Sequence, residues 1–206
     1  MTAADTETAD RPHFLSDPPS SVDGQALLDS DLLDPGFVMN LTRLWGFEPS
    51  MLTTLKDLMN RASELAGLGM REKGILVTAT ASTLGDSYCS FAWGGRLATH
   101  ADPETAAGVL RGDDTNLTPA ERTMAQWARS VVSDPSSTRL DDVESLRAAG
   151  YTDEQIFGIT VYVALRLAFS TINGALGASP DAALRELVPE VVQASVTWGR
   201  QMPRTS

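Results

Sequence analysis

Cysteine is almost absent from this chain: Cys89 stands alone among 206 residues. That count excludes a disulfide within the chain and a zinc site built from several cysteines. Basic residues are in deficit, with 16 Lys and Arg against 27 Asp and Glu and a net charge of −11. Sequence-independent nucleic-acid binding, which displaces counterions with Lys and Arg, is therefore not expected. Long unbroken apolar runs are missing too. The most apolar segment, Ile156 to Ile172, is interrupted by Arg166 and reads as too short to span a bilayer, so no membrane partner is expected. The first thirty residues have neither a basic start followed by an apolar run nor an Arg-biased transit pattern. With the single cysteine, this gives the expectation of a reducing cytoplasm.

What is present suits a globular chain, since 42% of residues are hydrophobic and 21% charged. The acidity is unevenly spread. Residues 1–35 hold eight acids and one base, Arg11, a balance of −7; the remaining 15 bases and 19 acids leave only −4. Residues 1–35 thus read as an acidic, largely flexible arm rich in Thr, Ser and Pro, and 36–206 as one domain. Phe14 and Leu15 are the apolar pair that could dock the arm.

From Gln25 onward nearly every segment reads as helix. Pro49 opens one that carries Met51, Leu52, Leu55, Leu58, Met59 and Ala62 at helical spacing. Arg71 to Ser82 has strand-like composition but no partner strand, which favours helix. Asp102-Pro103-Glu104 starts a short helix ending at Gly112. Thr118-Pro119-Ala120-Glu121 and Thr152-Asp153-Glu154-Gln155 are capping boxes that fix two further starts. The second opens the long apolar helix through Ile156, Tyr162, Arg166 and Ile172. Pro180 and Pro189 punctuate a last helical stretch expected to carry Trp198. An all-α domain of about eight helices follows.

The stretch Ser82 to His100, STLGDSYCSFAWGGRLATH, concentrates the chemistry. Gly85-Asp86 reads as a helix break and a new N-cap, which places Cys89 in the first turn. The helix N-terminus favours its thiolate and the Asp86 carboxylate opposes it, so the thiol's state stays open. A small buried cysteine beside a capping aspartate is the bland alternative. Arg166, one turn after Tyr162, needs a reason in so apolar a run. An ion pair with Asp86 or Glu72 is the simpler one, and orienting an anionic substrate beside Cys89 the functional one. Trp93, with Tyr88 and Phe91, either lines such a pocket or belongs to the core. His100 lies about 16 Å along the helix from Cys89, too far to act on it within one chain.

The order of these elements resembles the carboxymuconolactone decarboxylase and alkylhydroperoxidase D-like family over residues 36–188. The matching motifs are Asp86-x-x-Cys89-x-x-x-Trp93, Leu117-Thr118-Pro119-Ala120-Glu121, Gly150-Tyr151-Thr152-Asp153-Glu154-Gln155-Ile156 and Ile172-Asn173-Gly174. The resemblance implies an all-α bundle with the nucleophilic cysteine at Cys89. It also implies departures. Asp86 stands where the family has its first cysteine, Trp93 where it has histidine, and Gly74 where it has glutamate, with Glu72 on another helix face. A dithiol relay is therefore absent.

Three functions remain in view. One is single-cysteine hydroperoxide reduction at Cys89, the antioxidant peroxidase type. Another is a cofactor-free decarboxylase or isomerase that uses Asp86 on a small anionic or specialised metabolite. The last is a non-catalytic binding or assembly role. The candidate pocket is Glu72, Tyr88, Trp93, Tyr162 and Arg166; no metal or other cofactor is expected, and the partner is a small-molecule substrate. The resemblance further implies a homo-oligomer, trimer or hexamer, for which Trp45, Phe47 and Trp198 are candidate interface anchors.

Overall fold

The computed structural model describes residues 11–203, which form eleven α-helices and one 3₁₀ turn, with no strand among them. The helices are α1 (Val22–Leu33), α2 (Asn40–Trp45), α3 (Pro49–Leu65), α4 (Met70–Leu84), α5 (Ser87–His100), α6 (Pro103–Arg111), α7 (Pro119–Ser133), α8 (Leu140–Ala148), α9 (Asp153–Ala175), α10 (Leu184–Leu187) and α11 (Glu190–Ser195). Their starts follow the local chemistry. Proline occupies the first turn of α3, α6 and α7, where its missing N–H costs nothing. Both capping boxes form as expected: Thr118 accepts from the Glu121 amide at 3.3 Å and Thr152 from the Gln155 amide at 3.2 Å.

The centre of the bundle is α4. Every residue from Gly74 to Ala81 is buried, so the segment of strand-like composition is a core helix. It is flanked by α5, α7 and α9, while α9 also lies along α3. Two close approaches set these distances. A Cβ on Gly74 would meet Leu97 at 3.1 Å, and one on Gly158 would meet the Ala62 carbonyl at 2.9 Å and the Ala66 amide at 3.0 Å. Trp45 stacks on Phe169 with ring centroids 5.8 Å apart, and its indole N–H donates to Asn173 Oδ1 at 2.8 Å.

The structure differs from the sequence expectation in four places. The expected flexible arm holds a helix, α1, and residues 11–20 lie against the body, where the Phe14 amide donates to the Leu176 carbonyl and the Ser179 amide to that of Pro12. Residues 1–10 lie outside the described residues. Asp31, one of the eight acids of residues 1–35, is buried and accepts from the Met39 amide at 2.9 Å. Trp45 is a core residue, not an interface anchor, and Trp198 follows the last helix instead of riding on it. Finally, α9 runs for 23 residues because its ends extend beyond the apolar run. It is long and apolar enough to cross a membrane by length and composition, yet it packs here as a core helix against α3, α4 and α7.

The backbone atoms facing Gly158 cannot retreat as a side chain would. Gly158→Leu should destabilise the fold by about 1–3 kcal/mol. Thermal unfolding should show a Tm lower by roughly 2–4 °C per kcal/mol. An unchanged Tm would mean that α3 and α9 are not held this closely.

Candidate active site

Gly85 ends α4 in the left-handed region at φ +77°, which turns the chain and lets Asp86 cap α5. The Cys89 amide donates to Asp86 Oδ1 at 3.1 Å, so the thiol is fixed at the third position of α5 as the sequence predicts. The other carboxylate oxygen of Asp86 is buried and has no hydrogen-bond partner. Across from this turn, α9 presents two residues one turn apart. Arg166 Nη2 lies 3.4 Å from Cys89 Sγ, and Ser170 Oγ lies 3.6 Å from it.

Arg166 is only 7% exposed and touches no carboxylate. Its surroundings are soft and polarizable. Nη1 faces the Met59 thioether at 3.9 Å, and the guanidinium carbon sits 5.2 Å from the Trp93 ring centroid and 4.9 Å from that of Phe169. Cation–π attraction offsets part of the lost hydration. Arg166 Nε has no partner.

Burial pushes the Cys89 thiol up to about 12, and the Asp86 charge adds to it; Arg166 and the Ser170 hydroxyl pull the other way but do not prevail. At neutral pH the closed site therefore holds a thiol, with thiolate on the order of one part in 10⁵. Arg166 also forms part of the wall of a cleft of about 260 Å³, together with Lys56, Lys73, Trp93, Arg96 and Tyr162. The guanidinium thus faces the sulfur and the cleft at once.

Of the residues expected at the site, Cys89, Asp86 and Arg166 converge, and Trp93 and Tyr162 flank Arg166 at the cleft. Tyr88 does not join them. Its hydroxyl donates to buried Asp181, which also accepts from the Asn40 amide at 2.9 Å, so Tyr88 anchors the start of α5. Glu72 is also elsewhere, in the field of Arg71 and Tyr151. The anticipated pairing of Arg166 with Asp86 or Glu72 is not formed. His100 is exposed at the end of α5. At Gly74, where the resemblance puts a glutamate, Leu97 fills the space. Sequence reasoning missed Ser170, although its one-turn offset from Arg166 was visible. It also missed Met59, Lys56 and Lys73, which come from α3 and α4 and carry no local signal.

A thiol held in this way has a distinctive titration. Alkylation of Cys89 by iodoacetamide should accelerate about tenfold per pH unit from about pH 7 to 9.5, because the thiolate fraction keeps rising. A plateau below about pH 9 would contradict the burial of the sulfur.

No protein-family model matches the chain, and no curated protein is similar to it. Solved structures are similar in fold. A peroxidase-related protein from Silicibacter sp. TM1040 superposes with a TM-score of 0.72 at 18% identity, covering 85% of this chain and 95% of that one. An alkylhydroperoxidase AhpD core protein, peroxidase-related, from Ralstonia eutropha JMP134 gives 0.70 at 20% identity, over 91% and 98%. The debrominase Bmp8, a cysteine-to-alanine variant in complex with 2,3,4-tribromopyrrole, gives 0.63 at 16% identity, over 88% and 95%. The chain has the all-α alkylhydroperoxidase D-like fold.

Proposed function

We propose that the protein is a single-cysteine, thiol-dependent oxidoreductase that reduces a small hydroperoxide at Cys89. The observation that carries this reading is the Arg166 guanidinium set 3.4 Å from the chain's only sulfhydryl, with no carboxylate competing for it. A cation so placed stabilises the thiolate formed when the site admits water and substrate. The Asp86 carboxylate, whose Oδ2 is buried without a hydrogen-bond partner in the turn that holds Cys89, gives the thiol's proton a destination.

The chemistry balances as a two-electron exchange. The Cys89 thiolate attacks one peroxide oxygen, the O–O bond breaks, and the departing alkoxide takes a proton to leave as alcohol. Cys89 becomes a sulfenic acid. One external thiol condenses with it and releases water, and a second frees Cys89 as the external disulfide forms. A resolving cysteine within the chain is excluded by count. Ser170, donating to the sulfur, holds it in line through each step.

The likeness to a debrominase favours a second substrate for the same thiol. In that case the thiolate takes the halogen of a bromoaryl compound as an electrophile to give a sulfenyl bromide, and the carbanion is protonated. One external thiol displaces bromide to form a mixed disulfide, and a second frees Cys89 as the external disulfide forms. The site requirements are the same, and Trp93 and Tyr162 supply aromatic walls. The Asp86-based decarboxylase or isomerase reading needs no sulfur, so the two separate cleanly by mutation. The expectation of a trimer or hexamer stands beside this reading as a proposal of its own.

With dithiothreitol as reductant, wild type should consume an organic hydroperoxide and Cys89→Ser should not. Arg166→Met should retain the fold and lose about 10–100-fold in kcat/KM, the cost of removing one charge-assisted contact to the reacting sulfur. Bromide release from 2,3,4-tribromopyrrole, dependent on Cys89, would move the substrate assignment to the second class. Equal inactivity of wild type and Cys89→Ser on both substrates sinks the thiol reading.

A further inference from the structure

Beyond the thiol, the cleft in front of Arg166 has an electrostatic character that the peroxidase reading does not use. Lys56 from α3, Lys73 from α4, Arg96 from α5 and Arg166 from α9 converge on its wall, and no carboxylate lines it. This is a local excess of four cations on a chain of net charge −11. Lys56 and Lys73 form no salt bridge among the described residues. Arg96 has one partner, the exposed carboxylate of Asp34 at 3.4 Å. Lys56 also lies within the field of buried Asp31.

Crowding like charges at one spot is unfavourable unless an anion compensates, and a concave wall concentrates their field. The second observation is independent of the first. Arg166, buried to all but 7%, leaves Nε without a partner and finds only sulfur and aromatic faces for its other groups. A buried guanidinium cannot shed its proton, so while Cys89 stays a neutral thiol its missing counter-charge has to come from outside the chain.

We infer that this cleft binds a small oxyanion carrying two negative charges, of the phosphoryl type. A phosphoryl dianion presents three acceptor oxygens, enough to meet the two lysine ammonium groups and an arginine fork together. A lone carboxylate offers half the charge and two oxygens. Asn60 on the same wall provides an amide donor, and the Trp93 ring lies 5.2 Å from the Arg166 guanidinium and 5.3 Å from that of Arg96, so cation–π attraction holds both at the cleft. With about 260 Å³ available, the cleft has room for an organic group attached to the anion. Inorganic phosphate and a phosphate ester share the recognition chemistry, and the ester alone would use that extra space.

The test is calorimetric titration of the full chain with inorganic phosphate at about pH 8, where it is mostly a dianion, at ionic strength held constant with sodium chloride. Saturable binding is expected, with acetate binding at least about tenfold more weakly. The Lys56→Gln/Lys73→Gln double variant should bind phosphate about tenfold more weakly than wild type, and Lys56→Arg/Lys73→Arg should restore it. Phenyl phosphate binding more tightly than inorganic phosphate would identify the ligand as an ester; equal affinity would identify the free ion. Cys89→Ser should bind phosphate like wild type, so loss of peroxide turnover and loss of this site are read separately. Absence of saturable binding, equal affinity for acetate, or an unchanged affinity in the Gln double variant overturns the inference.

Discussion

A guanidinium in the middle of an apolar bundle is the constraint around which the site is organised. Its desolvation costs several kcal/mol even after relaxation, and Arg, unlike Lys, cannot escape by deprotonating. Elsewhere in this chain arginines meet carboxylates: Arg71 with Glu121 and Arg129 with Asp114, both at 2.6 Å. Arg166 does not. Its neighbours are a thiol, a thioether and two aromatic faces, which solvate a cation weakly. The bundle thus holds a positive charge in reserve, and the sulfur of Cys89 and the basic cleft are the two places where negative charge can join it.

That arrangement explains the thiol. An Asp86 cap and complete burial together outweigh one guanidinium and one hydroxyl, so the resting group is neutral and inert. In the proposed thiol chemistry reactivity depends on access, because burial is the largest of the unfavourable contributions. The same burial shields the lone cysteine from oxidants in solution.

The acidic N-terminal segment has a different role from the one its composition suggests. Its described part is built into the molecule. Asp31 accepts from Met39 and Asp181 accepts from Asn40 and from Tyr88, so buried carboxylates fasten the start of α2 and, through Tyr88, the first turn of α5. Burial raises both of these carboxyls above the usual range. Phe14 packs onto Gly177, and the Arg200 guanidinium lies 4.9 Å from the Phe14 ring centroid.

Much of the fold was legible from local chemistry. The prolines at helix starts, the two capping boxes and the Gly85-Asp86 break are instructions written within four residues, and the structure follows each. Periodicity placed Leu52, Met59 and Ala62 on the buried face of α3, although Met51 and Leu58 of the same stripe are exposed, and want of a partner strand assigned α4. Composition was a poor guide where burial depends on distant residues, as for Asp31, Trp45 and Trp198. At the site, the sequence alone determined that one thiol exists, that it opens a helix beside an aspartate, and that no dithiol relay is available. Which residue would face that thiol, that Arg166 would lack a carboxylate, and that lysines from two further helices would share its cleft were decided only in three dimensions. Those contacts join residues far apart in the chain, and their geometry follows from how closely Gly74 and Gly158 allow the helices to pack.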